Sequence, residues 1–196
     1  MKIGVLDIQG SVEEHVKALE VAGAEDDLNV VRVKVAADLE GLAGLVIPGG
    51  ESTTIGKLMK RFGLGKAVKK KAREGMALWG TCAGAILLAK VVQGGEVDSL
   101  ELMEIEISRN AYGRQIDSFE TELEFAGGFF GPDPSVIPAV FIRGPKILAT
   151  GEGVEILALH ESEIVAAKQG KMLVTTFHPE MTEDSSVQKY FLAMCE

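Results

Sequence analysis

Met76-Ala77-Leu78-Trp79-Gly80-Thr81-Cys82-Ala83-Gly84-Ala85-Ile86-Leu87-Leu88 reads as a short buried strand, a tight glycine-flanked turn and a buried helix. A nearly continuous apolar run passing straight into a helix is the signature of a parallel sheet with crossover helices. The turn also has a chemical consequence. It lifts the Cys82 side chain clear of the sheet, beside a helix N-terminus whose free N–H groups favour negative charge. Thiolate is the nucleophilic form of cysteine, so a nucleophile is the preferred reading over a small core residue.

Upstream, the same strand–helix unit repeats. Ile3 to Ile8, Val30 to Val35 and Leu42 to Ile47 are predicted strands, and Met76 to Trp79 is the fourth. Ser11 and Glu14 form a capping-box pattern ahead of Val12, Val16 and Leu19, with Gly23 as the stop. Ile55, Leu58, Met59 and Phe62 predict a second helix after Pro48-Gly49-Gly50. A third is expected from Leu64 to Glu74, and the helix after Cys82 is expected to run from Ala83 to Val92.

The second half changes period. Met103, Ile105 and Ile107 alternate with Glu104, Glu106 and Ser108, and Phe119, Thr121, Leu123 and Phe125 alternate with Glu120, Glu122 and Glu124. Such alternation predicts half-exposed antiparallel strands. Shorter strands are expected at Val140–Ile142, Glu155–Leu159, Ile164–Ala167 and Met172–Thr176, and a closing helix carries Val187, Tyr190, Phe191 and Met194. The expected fold is α/β, a three-layer sandwich with a mostly parallel central sheet, flanking helices and added antiparallel strands. With 196 residues and no linker-like stretch, residues 1–196 are expected to form one domain.

Composition narrows the function classes. Acidic residues outnumber basic ones 29 to 20, for a net charge of −9, which argues against a nucleic-acid partner. The basic stretch Lys66 to Arg73 is interleaved with Ala67, Val68 and Ala72 and reads as the wet side of a helix. No apolar run approaches the ~20 residues that cross a bilayer. Two cysteines, Cys82 and Cys195, make no disulfide framework, so a cytoplasmic setting is expected. Neither a cofactor nor a metal is indicated.

Three histidines are present: His15, His160 and His178. Phe177-His178-Pro179-Glu180 follows an apolar run, and Pro179 restricts the backbone between imidazole and carboxylate. Glu180 on one ring nitrogen and Cys82 on the other would make a Cys-His-Glu relay. His15 reads as packing or a partner contact, and His160 as solvated. Pro48-Gly49-Gly50-Glu51-Ser52-Thr53-Thr54 ends a strand and opens a helix. It lacks the lysine of a Walker loop, and its glycines suit an oxyanion hole. Glu51 is then placed to meet a substrate ammonium, while Ser52 or Thr53 serves as helix cap. Arg109 and Arg143 stand at strand ends; by pattern alone they are surface arginines.

Taken together, LDIQGSVEEH, PGGEST, GTCAG, RNAYGRQ, FIR and FHPE, in this order across nearly the whole chain, resemble the glutaminase subunits of pyridoxal 5′-phosphate synthases. These are class I, triad-type glutamine amidotransferases. GTCAG and HPE are common to that class, whereas PGGEST, RNAYGRQ and Gln9-Gly10 are specific to these subunits. The resemblance implies that Cys82 attacks the carboxamide of L-glutamine, with His178 as base and Glu180 orienting it. It implies an oxyanion hole near Gly50 and Ala83, and glutamine binding by Gly50, Glu51, Ser52, Arg109, Ile142 and Arg143. It further implies delivery of ammonia to a synthase subunit, a dodecameric core, docked near Gln9 and His15. Asp7 stands where the family more often has a small residue, and Gly144 where alanine is commoner. Three other readings remain open: the glutaminase of another synthase, a non-catalytic regulatory module of this fold, and a cysteine peptidase.

Overall fold

The computed structural model describes residues 1–24, 27–109, 118–126, 134–142 and 144–196. The parallel strands are β1 (Lys2–Leu6), β2 (Asn29–Val33), β3 (Gly44–Ile47), β4 (Ala77–Thr81) and, from the far end of the chain, β12 (Met172–Thr175). They lie in the order β2-β1-β3-β4-β12. Their residues face alternate layers. Leu6, Leu45, Ile47 and Leu78 join one apolar cluster, while Ile3, Val5, Val46, Ala77 and Trp79 join the other. Helices α2 (Ser52–Arg61), α3 (Leu64–Arg73) and α4 (Ala83–Leu88) cover the first face, and α1 (Val12–Ala22) and α5 (Ser186–Met194) the second. Both faces of β1, β3, β4 and β12 are largely buried, which is why they read as apolar runs, whereas β2 at the sheet edge buries only Val33.

The antiparallel strands extend this sheet. They are β7 (Phe119–Phe125), β8 (Ser135–Phe141), β10 (Glu155–His160) and β11 (Glu163–Gln169), joined through β12-β11-β10-β7-β8. A side branch pairs β5 (Ala89–Gln93) in parallel with β6 (Met103–Ser108), which pairs antiparallel with β9 (Lys146–Thr150). The period-two segment at Met103 is therefore mixed in its pairing rather than purely antiparallel. In β6, Met103, Ile105 and Ile107 are buried and the residues between them are half-buried, as the alternation requires.

The helix expected over residues 83–92 stops at Leu88, and Ala89–Gln93 forms β5. β-Branched Val91 and Val92 pack more readily on a pleated strand than in a helix, and β6 offers Glu106 and Ile107 as their partners in register. The capping box at Ser11 is also absent. Ser11 makes no side-chain cap bond to α1; its hydroxyl donates instead to Glu180 Oε1 at 2.9 Å. The cap of α2 is Glu51, not Ser52 or Thr53, and it accepts the Thr53 and Thr54 backbone N–H groups. His160 is half-buried, its ring lying 5.4 Å from Phe119 and 5.7 Å from Phe141.

The turn after β4 explains its two glycines. A Cβ on Gly80 would lie 2.5 Å from the Gly84 carbonyl, and one on Gly84 would lie 2.0 Å from the Ile47 oxygen. Strand and helix backbones thus touch directly. A Gly84→Ala change meets a backbone carbonyl that cannot rotate away, and is expected to cost at least ~2 kcal/mol. Urea unfolding of the variant checks this; a midpoint equal to wild type would contradict it.

Candidate active site

Parallel strands end on one edge of a sheet, and ligands in open α/β folds bind beyond those carboxyl ends. Here β1, β3, β4 and β12 are neighbours, so the segments that follow them are brought together. These carry Gln9 and Ser11, Gly49 to Glu51, Cys82, and His178 with Glu180. Thr81 pairs with Thr175. Cys82 follows the first by one residue and His178 the second by three, which bridges their separation of 96 positions in sequence.

Cys82 has φ 48° and ψ −103°, a conformation that L-residues rarely adopt. Its N–H donates to Thr175 O at 2.8 Å, and its carbonyl accepts from Ala85 N at 3.1 Å. These bonds and the glycine contacts hold the strained turn, whose cost is of order 1–3 kcal/mol. The side chain is partly exposed, whereas Cys195 is buried and its thiol is pushed up to about 12 by that burial. Only one of the two cysteines has the surroundings of a nucleophile.

His178 is 7% exposed and its Nδ1 lies 2.8 Å from Glu180 Oε1. An ionised carboxylate only accepts, so Nδ1 carries the proton and Nε2 is left for another partner. Burial opposes a charged ring, yet bonds and charges from Cys82 and Glu180 outweigh it and raise the His178 pKa to about 10. Burial likewise opposes ionised Glu180, but His15 and then His178 hold its carboxyl well below the usual range.

A cleft of about 340 Å³ opens beside the sulfur. It is lined by Gly50, Glu51, Ser52, Cys82, Ala83 and His178 together with Ile86, Arg109, Ile142 and Pro145. Of the residues the sequence singled out for substrate, all but one therefore line a single cleft. Arg143 lies outside the described residues, as do 110–115 of the RNAYGRQ stretch. Ile86 and Pro145 carried no sequence signal as lining residues. Arg109 is ion-paired with Glu51, Nη2 to Oε1 at 3.2 Å, and its side chain is 13% exposed. Hydrogen bonds led by the Thr53 hydroxyl hold the Glu51 carboxyl down at about 2. The cleft thus holds a fixed negative and a fixed positive group at hydrogen-bonding distance from each other.

Gly49 sits against the reactive groups: a Cβ there would be 2.7 Å from His178 Cε1 and 3.4 Å from Cys82 Cβ. Its carbonyl accepts from Ser11 N at 3.1 Å. Gln9 accepts the Glu51 N–H through Oε1 at 2.8 Å. His15, read from sequence as packing or a partner contact, is 0% exposed, so in this chain it can contact no partner. It is enclosed because α1 lays it against Trp79, 5.5 Å between ring centroids, and against Thr81.

The coupled pair sets a pH dependence of stability. His178 has a raised pKa, so its contribution is complete below about 6.5, the unfolded value, and is lost as pH rises through about 10. Glu180 has a depressed pKa, so its contribution is present above about 4.3 and is lost as pH falls through its folded value. The stability difference between wild type and His178→Asn is therefore expected to shrink between pH 6.5 and 10.5. Urea unfolding at the two pH values checks this, and an unchanged difference would contradict it.

Residues 5–196 match the SNO glutamine amidotransferase family. A pyridoxal 5′-phosphate synthase subunit PdxT from Geobacillus kaustophilus is 50% identical, covering 99% of this chain and 94% of that one. The subunit of the same name from Listeria innocua is 51% identical over 97% of each chain. A crystal structure of a glutamine amidotransferase superposes with a TM-score of 0.88 at 45% identity, covering 98% of both chains. A putative GMP synthase subunit from Thermoplasma acidophilum, at 20% identity and TM-score 0.70, shares the fold. By its whole length and by the architecture around Cys82, the chain belongs to the SNO glutamine amidotransferase family.

Proposed function

We propose that this chain is the glutaminase subunit of a pyridoxal 5′-phosphate synthase. The observation that carries the reading is the shared cleft: Cys82, His178 and the Arg109–Glu51 pair line one small cavity. A free amino acid carries one carboxylate and one ammonium on the same carbon. Arg109 matches the first through its guanidinium fork and Glu51 the second. Some 340 Å³ between such groups suits a small zwitterion better than an extended polypeptide, which disfavours a peptidase. The near-50% relatives named as synthase subunits favour this synthase over another.

In this reading the Cys82 proton rests on His178 Nε2, as the raised pKa of that ring favours, and Sγ attacks the side-chain carboxamide carbon of L-glutamine. The carbonyl oxygen becomes an oxyanion facing the N–H groups of Gly50 and Ala83. Ala83 opens α4, so its N–H has no partner within the helix. The tetrahedral intermediate collapses as His178 protonates the leaving nitrogen, which departs as ammonia and leaves a thioester. Water then gives a proton to His178 and attacks the same carbon. The C–S bond breaks, the proton returns to sulfur, and glutamate is released. Glu180 keeps the ring oriented throughout.

Gly50, Ser52, Ile142 and Arg143 complete the glutamine site in this proposal, and residues 1–196 act as one domain. Ammonia passes to a synthase subunit of a dodecameric core docked near Gln9. We place the reaction in the cytoplasm, where Cys82 stays reduced. Among the described residues no helix is long and apolar enough to cross a membrane.

Glutamate release should be slow for the purified chain and rise sharply when the synthase subunit is added. High activity alone, or none with the partner, would contradict the assignment. Cys82→Ala should abolish release while thermal unfolding still shows a folded chain. Arg109→Met should raise KM for glutamine by at least about tenfold, since it removes a charge-assisted bond; an unchanged KM would remove Arg109 from the site.

A further inference from the structure

The acid of the Cys-His-Glu group has more donors than a triad needs. Glu180 Oε1 receives His178 Nδ1 at 2.8 Å and the Ser11 hydroxyl at 2.9 Å, and His15 Nε2 lies 3.4 Å away. The same Nε2 is 2.9 Å from Thr81 Oγ1. Thr81 is the last residue of β4 and immediately precedes Cys82. His15 therefore stands between the residue that precedes the nucleophile and the carboxylate that orients its base.

The tautomer follows from the surroundings. His15 is 0% exposed and its Nδ1 has no hydrogen-bond partner among the described residues. A proton on Nδ1 would leave a buried donor unsatisfied, whereas a proton on Nε2 meets Thr81 Oγ1 at 2.9 Å with the ionised Glu180 carboxylate 3.4 Å away. Nε2–H is the favoured donor. Trp79, with its ring nearly perpendicular at 85°, and the α1 backbone hold the imidazole edge toward these two oxygens. Ser11 contributes from the same helix terminus, having left its capping role.

We propose that His15 is a positioning residue of the glutaminase: its Nε2–H, supported by the Ser11 hydroxyl, locks Glu180 against His178 and ties that carboxylate to Thr81 beside the nucleophile. A buried histidine that only filled space on α1 would need no such aim, and a leucine would serve. The proposal rests on the glutaminase reading for its kinetic test, so a second readout is independent of glutamine.

Other charged groups near Glu180 are few. From α1 these are Glu14 and Lys17, which line the cavity beside it, and from its own segment Glu183 and Asp184. β8 supplies none, and Cys82 reaches Glu180 only through His178. Loss of His15 removes a donor that keeps the carboxylate ionised, so Glu180 should protonate at a higher pH.

The test compares wild type, His15→Leu, His15→Gln and Ser11→Ala, each as the full chain with its synthase partner. Gln retains an N–H at the end of a side chain of similar reach. His15→Leu is expected to lower kcat roughly tenfold or more with KM within about twofold, since a bond to a charged group is lost. Its kcat acid limb should move to higher pH, the direction that easier protonation of Glu180 gives. His15→Gln should recover most of both, and Ser11→Ala should show a smaller shift of the same sign. In parallel, carboxamidomethylation of Cys82 by iodoacetamide, read by peptide mass from pH 4 to 9, should show the same displacement without glutamine. A folded His15→Leu with unshifted profiles, or a Gln variant as impaired as Leu, overturns the proposal. Should His15→Leu fail to fold, an unshifted Ser11→Ala overturns it equally. Wild type that alkylates normally but releases no glutamate would instead sink the glutaminase reading.

Discussion

Four parallel strands end side by side, and at each of those ends the chain must turn away from the sheet. Everything chemical in the molecule follows from that constraint. Adjacent strands in register deliver Gln9 and Ser11, the Gly49–Gly50 turn, Cys82 and the His178–Glu180 pair to one edge. None of these side chains needs a long or flexible approach, because each stands within a few residues of a buried strand. The apolar clusters on the two faces supply the rigidity. A site built on the ends of packed strands keeps its geometry better than one built on loops alone.

The turn at Cys82 shows how locally unfavourable geometry is held. A cysteine at φ 48° would relax if its neighbours allowed it. They do not: the backbones of β4, α4 and β3 meet at Gly80, Gly84 and Ile47 with no room for a side chain. The Cys82 N–H is committed to Thr175 in the adjoining strand. In the same cleft, Glu51 does two things at once, capping α2 through Thr53 and Thr54 while pairing with Arg109. Its low proton affinity comes first from the Thr53 hydroxyl, with the Thr54 hydroxyl and the capped N–H groups adding to it, so the charge facing the cleft is maintained by the first turn of α2.

Much of this was legible in the residues. The apolar runs of β1, β3 and β4 have no other economical reading, and the glycine-flanked cysteine and His-Pro-Glu can be picked out by eye. What could not be read was where polar side chains turn when two partners are within reach. Ser11 looks like a helix cap and is one in position, but a buried carboxylate from 169 residues away takes its hydroxyl. His15 lies beside an apolar helix face, and nothing local reveals that Thr81 and Glu180 lie opposite it. The helix end at Leu88 depended on β6, a strand that the local sequence does not contain. Local pattern predicted elements; long-range pairing decided the exceptions.

The central claim is that the Cys82 sulfur, served by His178, meets a glutamine carboxamide in this cleft. A diazoketone analogue of glutamine tests it directly, because it alkylates only a nucleophile held at the carboxamide position. With the synthase subunit present, peptide mass analysis should find the label on Cys82 and not on Cys195, with excess L-glutamine preventing it. A label on Cys195, none on Cys82, or modification of Cys82 that glutamine fails to block would contradict the account.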